Sequence, residues 1–273
     1  MRHVDVQLHD VDANAYRGML ANASHVKRKL TGSCALFLPK QVHPCAVYIE
    51  LDQRLPHVVA ALRSIHFGKA GRTDGMYSVS RTFGYAPKQA IRGKETCHRA
   101  TLAREAPEAH EAIASLAPVV EEWYRRVHGE LYAQHEATVS KVLPEWRLGG
   151  GVFTSGIINR NNQLPYHFDS GNFAGCWSNM LVFKNACAGG DLVCPELDVC
   201  FTLRDHSLLM FDGQSILHGV TPFRFTRPSG WRYSIVFYSL QQMWRCDPVV
   251  DNARLHAQRR TERERARFAQ VAT

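Results

Sequence analysis

Hydrophobic periodicity changes along the chain, and the largest change falls near residue 150. Beyond it, apolar positions come in short runs at 152–158, 164–169, 179–183, 191–194, 199–203, 207–211, 217–221 and 231–239. Turn residues separate them, at 159–162, 188–190, Pro195, 204–205, 212–213 and 228–230. Eight short strands within about 90 residues is the rhythm of a double-sheet jelly roll. Upstream the pattern is mixed. Apolar runs at 34–38 and 46–51, broken by Pro39 and Pro44, read as strands. Residues 56–66 fit a short helix with Pro56 in its first turn and Val58, Val59, Leu62 and Ile65 on one side. In 105–142, Ile113, Leu116, Val120, Trp123, Val127 and Leu131 recur at three- and four-residue spacing, the stripe of a core-packing helix, with Pro107 and Pro118 as helix starts. The expected architecture is α+β: a double-stranded β-helix (jelly roll) core with N-terminal helices and short strands packed against it. It reads as one domain over 1–273, with an elaboration at 1–149, the core at 150–246 and a basic helical tail at 247–273.

Composition narrows the class. The chain has 273 residues, 45% of them hydrophobic, enough for a sizeable core. No apolar run approaches the roughly 18 residues a membrane helix needs. The first residues lack the apolar segment of a secretory signal, so a soluble intracellular protein is expected. The eight cysteines form no CxxC pair and are expected to be reduced thiols, several of them buried in strands. Lys and Arg outnumber Asp and Glu by 33 to 25, a balance compatible with a polyanionic partner such as nucleic acid. The stretch 68–94 interleaves Gly68, Gly71, Gly75, Gly84 and Gly93 with Lys69, Arg72, Arg81, Lys88, Arg92 and Lys94 and with Tyr77, Phe83 and Tyr85. It reads as a flexible loop, either contacting nucleic acid or simply solvated. The arginine-rich tail reads as a solvated helix, with phosphate binding as the alternative. Residues 1–31 carry a basic cluster, Lys27-Arg28-Lys29, and no assignable role.

The chemistry concentrates at Tyr166-His167-Phe168-Asp169-Ser170-Gly171-Asn172. On an extended segment His167 and Asp169 point to the same side, so one short stretch offers two metal ligands. His3-Val4-Asp5 has the same spacing and no matching partners downstream. For His167 and Asp169 the partner is His218, 51 residues after His167. Two His and one carboxylate form the facial triad of non-haem iron(II) oxygenases, which leaves coordination positions open. Zinc hydrolysis usually draws on more His or Cys. Farther on, Arg232 and Ser234 share a strand face, and a guanidinium with a hydroxyl suits the far carboxylate of 2-oxoglutarate.

At this point the chain resembles the TET/JBP group of Fe(II)/2-oxoglutarate dioxygenases. The matching residues are His167-Phe168-Asp169-Ser170-Gly171-Asn172, Gly189-Gly190-Asp191-Leu192-Val193, Pro195-Glu196-Leu197, Leu209-Met210-Phe211-Asp212-Gly213, His218-Gly219-Val220-Thr221-Pro222 and Arg232-Tyr233-Ser234-Ile235-Val236-Phe237-Tyr238. Ser80-Arg81-Thr82-Phe83-Gly84-Tyr85 extends the likeness upstream. The resemblance implies Fe(II), 2-oxoglutarate and O2 as cofactors, DNA as partner through the loop 68–94, and hydroxylation of the 5-methyl group of 5-methylcytosine on a flipped base. It implies Asn172 and Tyr238 as base contacts, Arg81, Phe83 and Tyr85 as further substrate contacts, and Asn179 beside Arg232 and Ser234 at the cosubstrate. Leu240 stands where the family often has a His, which leaves thymine open as the base. Hydroxylation of a free nucleotide or another small molecule on the same frame, and non-catalytic nucleic-acid binding, are the competing readings.

Overall fold

A computed structural model describes residues 1–71, 77–89 and 94–271, with 69–71, 77, 78, 256 and 269–271 described by backbone alone. Among them, three layers stack: helices, a large sheet and a smaller sheet. The large sheet runs in the order Arg2–Asp5, Cys34–Phe37, Ala46–Glu50, Ser207–Phe211, Ser178–Asn185, Trp231–Tyr238, Ser155–Arg160, Tyr77–Ala86 and Lys69–Gly71. His98–Arg99 also pairs with Tyr77–Ala86. The small sheet runs Gly219–Val220, Leu192–Cys194, Val199–Phe201 and Arg28–Leu30.

The centre of the large sheet is covered on both faces, so its strands read as nearly continuous apolar runs. All five residues of Ser207–Phe211 are buried. Parity then sorts the side chains. On Trp231–Tyr238, Tyr233, Ile235 and Phe237 join the helix-side core, with Val120, Tyr124, Tyr132 and Val139. Leu36, Tyr48, Val182 and Leu209 point the other way and meet Leu192, Val199 and Phe201 of the small sheet. The opposite parity of Trp231–Tyr238 carries Arg232, Ser234, Val236 and Tyr238 toward the space between the sheets.

The mixed α+β architecture expected from the pattern is present, with several local differences. The helical stretch is four helices, Thr101–Glu105, Pro107–Ala114, Ala117–Val127 and Gly129–Val139, two of which start at or next to the prolines named above. The run 164–169 is not a strand. Pro165 lacks an N–H, and only one isolated bridge, His167 with His218, pairs this segment with the run 217–221. That second run shortens to Gly219–Val220.

The expected loop 68–94 needs the largest correction. Its described centre is the ten-residue strand Tyr77–Ala86, paired with Ser155–Arg160. Phe83 is 0% exposed and meets Phe237 edge-on, ring centroids 5.1 Å apart. Arg81 lies on the same side, with Nε 3.5 Å from Glu105. Lys88 pairs with Asp247 at 2.6 Å. Arg72, Gly75, Arg92 and Gly93 lie outside the described residues. Glycines and cations spaced among aromatics mimic a loop, yet alternate residues of this strand face a core. The thiol expectation also changes: Cys97 and Cys246 form a disulfide, and the other six cysteines are free.

The tail is a helix, Val249–Val271, mostly exposed. Among the described residues no helix is long and apolar enough to cross a membrane.

Two outcomes follow from this packing. Phe83→Ala is expected to lower the stability by about 3–5 kcal/mol, the range for a buried aromatic, whereas a loop aromatic moves it by less than about 0.5; urea denaturation reads the difference. His135 is 0% exposed, and Ser239 Oγ accepts from its Nε2 at 2.8 Å. Burial pulls its pKa from 6.5 down to about 4. Below the ordinary histidine value the unfolded chain takes up a proton here and the folded chain does not. Stability therefore falls with pH, by about 2 kcal/mol between pH 7 and 5 from this residue. His135→Gln is expected to remove that part of the drop when urea midpoints at the two pH values are compared.

Candidate metal and cosubstrate site

Between the two sheets lies a cavity of about 960 Å³, walled by Ser155, Ile157, Asn159, Met180, Leu192, Phe211, Val220, Ser234 and the segment 166–172. His167 and His218 meet in its wall across the isolated bridge. The His167 N–H donates to the His218 carbonyl at 2.9 Å, and the His218 N–H donates back at 3.1 Å. This exchange sets the two rings side by side, centroids 4.4 Å apart. Two residues on, the Asp169 N–H donates to the Gly213 carbonyl at 2.8 Å. A Cβ at Gly213 would lie 2.4 Å from Asp169 Oδ2, so only glycine leaves room for the carboxylate there.

The donor atoms converge. Each histidine Nε2 lies 3.9 Å from Asp169 Oδ1, and one ligand atom from each residue falls within 4.8 Å of the others. His167 Nδ1 faces the Pro165 carbonyl at 2.8 Å, and His218 Nδ1 faces the Ile216 carbonyl at 2.9 Å. A carbonyl only accepts, so each Nδ1 carries the proton and each Nε2 keeps its lone pair for a metal. Two imidazoles and one carboxylate fit iron(II) with open positions.

Across the cavity, Arg232 is 1% exposed, and its Nε and Nη2 have no hydrogen-bond partner among the described residues. Burial pulls its pKa down to about 10, which leaves it cationic at neutral pH. Ser234 lies on the same face, with Asn159 Nδ2 donating to its hydroxyl at 3.4 Å. A Cβ at Gly190 would lie 2.6 Å from Arg232 Nε, so the glycine admits the side chain. An uncompensated buried guanidinium costs several kcal/mol. A bound carboxylate removes that cost through parallel charge-assisted hydrogen bonds.

A third group of contacts links the metal ligand to the rest of the wall. Ser178 Oγ lies 3.1 Å from Asp169 Oδ2 and 3.1 Å from Asn172 Nδ2. An ionised carboxylate only accepts, so the hydroxyl donates to Asp169 and its oxygen accepts from Asn172. That order fixes the rotation of the Asn172 amide, with its oxygen turned away from Ser178. Gln214 Nε2 holds the Asn172 carbonyl at 2.8 Å, and Asn172 bridges to Leu240.

Residues 82–241 match the Tet_JBP family, described as the oxygenase domain of the 2OGFeDO superfamily. The chain belongs to the Tet_JBP family. The matched part is an oxygenase domain whose superfamily uses Fe(II), 2-oxoglutarate and O2, for which the His-Asp-His cluster is a fitting donor set. Two relatives named Thymine dioxygenase JBP1, from Trypanosoma brucei brucei and from its strain 927/4 GUTat10.1, are each 23% identical over 238 residues. The alignments cover 85% of this chain and 27% of each relative, so the chain spans about a quarter of their length. The solved structure of NgTET1 in complex with 5mC DNA superposes with a TM-score of 0.59 at 12% identity, covering 84% of this chain and 86% of that one. The likeness is one of fold.

The residues singled out in the sequence of this Tet_JBP family member divide into two groups. His167, Asp169 and His218 come together, and Arg232, Ser234, Asn172 and Tyr238 all line the cavity. Tyr85 also lines it, its ring edge-on to Trp146 at 5.4 Å. Asn179 does not face the cosubstrate side. It is 0% exposed, and its Nδ2 donates to the Trp177 carbonyl at 3.3 Å. Its strand places Ser178 and Met180 on the cavity and Leu181 and Phe183 in the helix-side core, so Asn179 has the wrong parity. Arg81 is not on the wall, where Ser80 and Thr82 stand, and Phe83 borders the cavity but is 0% exposed and packed on Phe237.

Two contributors went unread in the sequence. Ser178 gave no motif, although its parity with Met180 on a strand places it on the wall. Residues 1–31 shape the wall through Arg17 and Gly18. There the Gly18 N–H donates to the Tyr166 carbonyl at 2.9 Å, and the Tyr166 N–H donates to the Met19 carbonyl at 2.9 Å.

Because Ser178 orients a ligand and not the metal itself, Ser178→Ala is expected to weaken divalent-metal affinity by about 10–100-fold with the fold retained. Calorimetric titration with Mn(II), alongside a thermal melt, checks both halves.

Proposed function

We propose that this chain hydroxylates the 5-methyl group of a pyrimidine in DNA, with 5-methylcytosine as the base, inside the mouth of a jelly roll formed by residues 150–246. The observation that carries this is the cavity's second half. The whole cavity, about 960 Å³, is near the upper end for small-molecule sites, and 2-oxoglutarate held at Arg232 fills only part of it. Asn172, Tyr238 and Leu240 line the same cavity, and an amide, an aromatic ring and an apolar side chain suit a flat polar ring.

In this reading His167, Asp169 and His218 hold iron(II), which with 2-oxoglutarate and dioxygen supplies the oxidising power that breaks a methyl C–H bond. Arg232 and Ser234 grip the far carboxylate of the cosubstrate and so fix its 2-oxo end toward the metal. Tyr238, on the same strand face, stacks on the base. The Asn172 amide oxygen, its rotation fixed by Ser178, accepts from the amino group of 5-methylcytosine. The base must leave the helix to reach this depth, at a cost of about a few kcal/mol, which stacking and phosphate contacts offset. Leu240 keeps the remaining edge of the slot apolar.

A second reading, thymine as the base, has its own support. Leu240 gives no partner to the ring nitrogen edge of cytosine, and the relatives described above are named thymine dioxygenases. The Asn172 oxygen would then accept from the ring N–H of thymine.

Nucleoside mass spectrometry separates these outcomes. Duplexes with and without 5-methylcytosine are incubated with the iron-loaded protein, 2-oxoglutarate and air. Hydroxymethylcytosine from the methylated duplex is the expected product, and hydroxymethyluracil from either duplex selects thymine. Succinate formation with no modified nucleoside overturns DNA as the substrate.

A further inference from the structure

A second cavity, of about 540 Å³, lies between the C-terminal helix Val249–Val271 and the segment 94–104. Seven Lys and Arg side chains line it against two Glu, in a chain whose whole excess of positive charge is eight. Lys94 and His98 line both this groove and the candidate active-site cavity, so the groove continues from the rim of that cavity. The helix is tied beside the segment at several points. Cys97 is joined to Cys246 just before the helix, Asn252 Nδ2 donates to the Cys97 carbonyl at 3.3 Å, and Glu95 pairs with both Arg259 and Arg263.

We infer that this groove holds the phosphate backbone of the DNA strand as it leaves the active-site mouth, an inference that rests on the DNA reading above. The charge pattern favours a polymer over a single phosphate. Arg260, Arg263 and Arg267 recur at three- and four-residue spacing, which spreads them over about 10 Å of helix. Arg99 and Arg104 stand on the facing wall. One phosphate meets two or three such groups, whereas a strand presents a new charge roughly every 3.4 Å along a duplex. Guanidinium groups match phosphate oxygens two at a time. Arg260 and Arg263 are 76% and 63% exposed, and two glutamates cannot neutralise seven cations, so the groove keeps charge to offer an incoming polyanion. Within 68–94, Arg81 and Lys88 are engaged by Glu105 and Asp247, while Lys94 lines the groove.

The test is binding of a labelled 5-methylcytosine duplex across a salt series, with the intact chain and without turnover. R260E/R267E changes two exposed positions outside the candidate catalytic cavity. It is expected to weaken binding by at least tenfold at low salt and to flatten the slope of log affinity against log salt by about two phosphate contacts. R260Q/R267Q is expected to give a smaller loss of the same kind, which separates lost contact from added repulsion. Mn(II) and 2-oxoglutarate binding by calorimetry is expected to stay at the wild-type level in both variants. Wild-type binding with unchanged affinity and slope in both variants overturns the groove and leaves the proposed reaction standing. Wild-type failure to bind duplex at any salt overturns both. Salt-sensitive binding through the groove with no modified nucleoside overturns the reaction alone.

Discussion

A guanidinium buried deep between two sheets, with two nitrogens lacking partners among the described residues, is the constraint that orders the rest of this structure. The fold sets Arg232 in the middle of an otherwise apolar chain stretch, on the strand between Ser178–Asn185 and Ser155–Arg160, where water does not reach. The side chain stays cationic at neutral pH, with Asp191 nearby favouring the charge, but its desolvation works against the fold until an anion meets the unpartnered nitrogens. The surroundings are shaped for that meeting. Gly190 yields space, Ser234 and Asn159 add polar contacts, and the opposite wall carries a metal-type donor set. A dicarboxylate whose other end chelates a metal satisfies both sides of the cavity at once.

The two histidines show how little backbone is needed to build the metal side. One bridge of two reciprocal hydrogen bonds brings His167 and His218 together, and each ring is oriented by the carbonyl two residues before it. Asp169 is then held by Gly213 behind it and Ser178 beside it. Through Ser178 the carboxylate is joined to Asn172, which faces the larger half of the cavity. Two hydrogen bonds therefore join Asn172 to the Asp169 carboxylate, a short physical link between the cavity wall and the metal-type cluster.

The strands after residue 150 and the triad were legible because both depend on local spacing. A period of two puts Arg232 and Ser234 on one face of Trp231–Tyr238, while His167, Asp169 and His218 lie outside strands and are joined by one isolated bridge. What escaped was set by parity within strands or by distant chain. Asn179 and Ser178 are neighbours, and nothing in their types says which one faces the cavity; the register with Ser207–Phe211 and Trp231–Tyr238 decides it. The stretch that holds Arg81 and Phe83 escaped for a related reason. Its glycine-rich, basic surroundings resemble a loop, and only the pairing with Ser155–Arg160 turns it into a sheet strand. The contribution of Arg17 and Gly18 depends on contacts across nearly 150 positions, which no local pattern encodes.

The most direct test of the central claim asks whether Arg232 receives the far carboxylate of the cosubstrate. Anaerobic calorimetry of the Fe(II)-loaded protein can compare 2-oxoglutarate with 2-oxopentanoate, which keeps the chelating end and lacks the second carboxylate. The account predicts that the wild type prefers 2-oxoglutarate by about 100-fold and that Arg232→Met abolishes the preference while retaining weak binding of both. Equal affinity for the two acids in the wild type, or an undiminished preference in Arg232→Met, would contradict it.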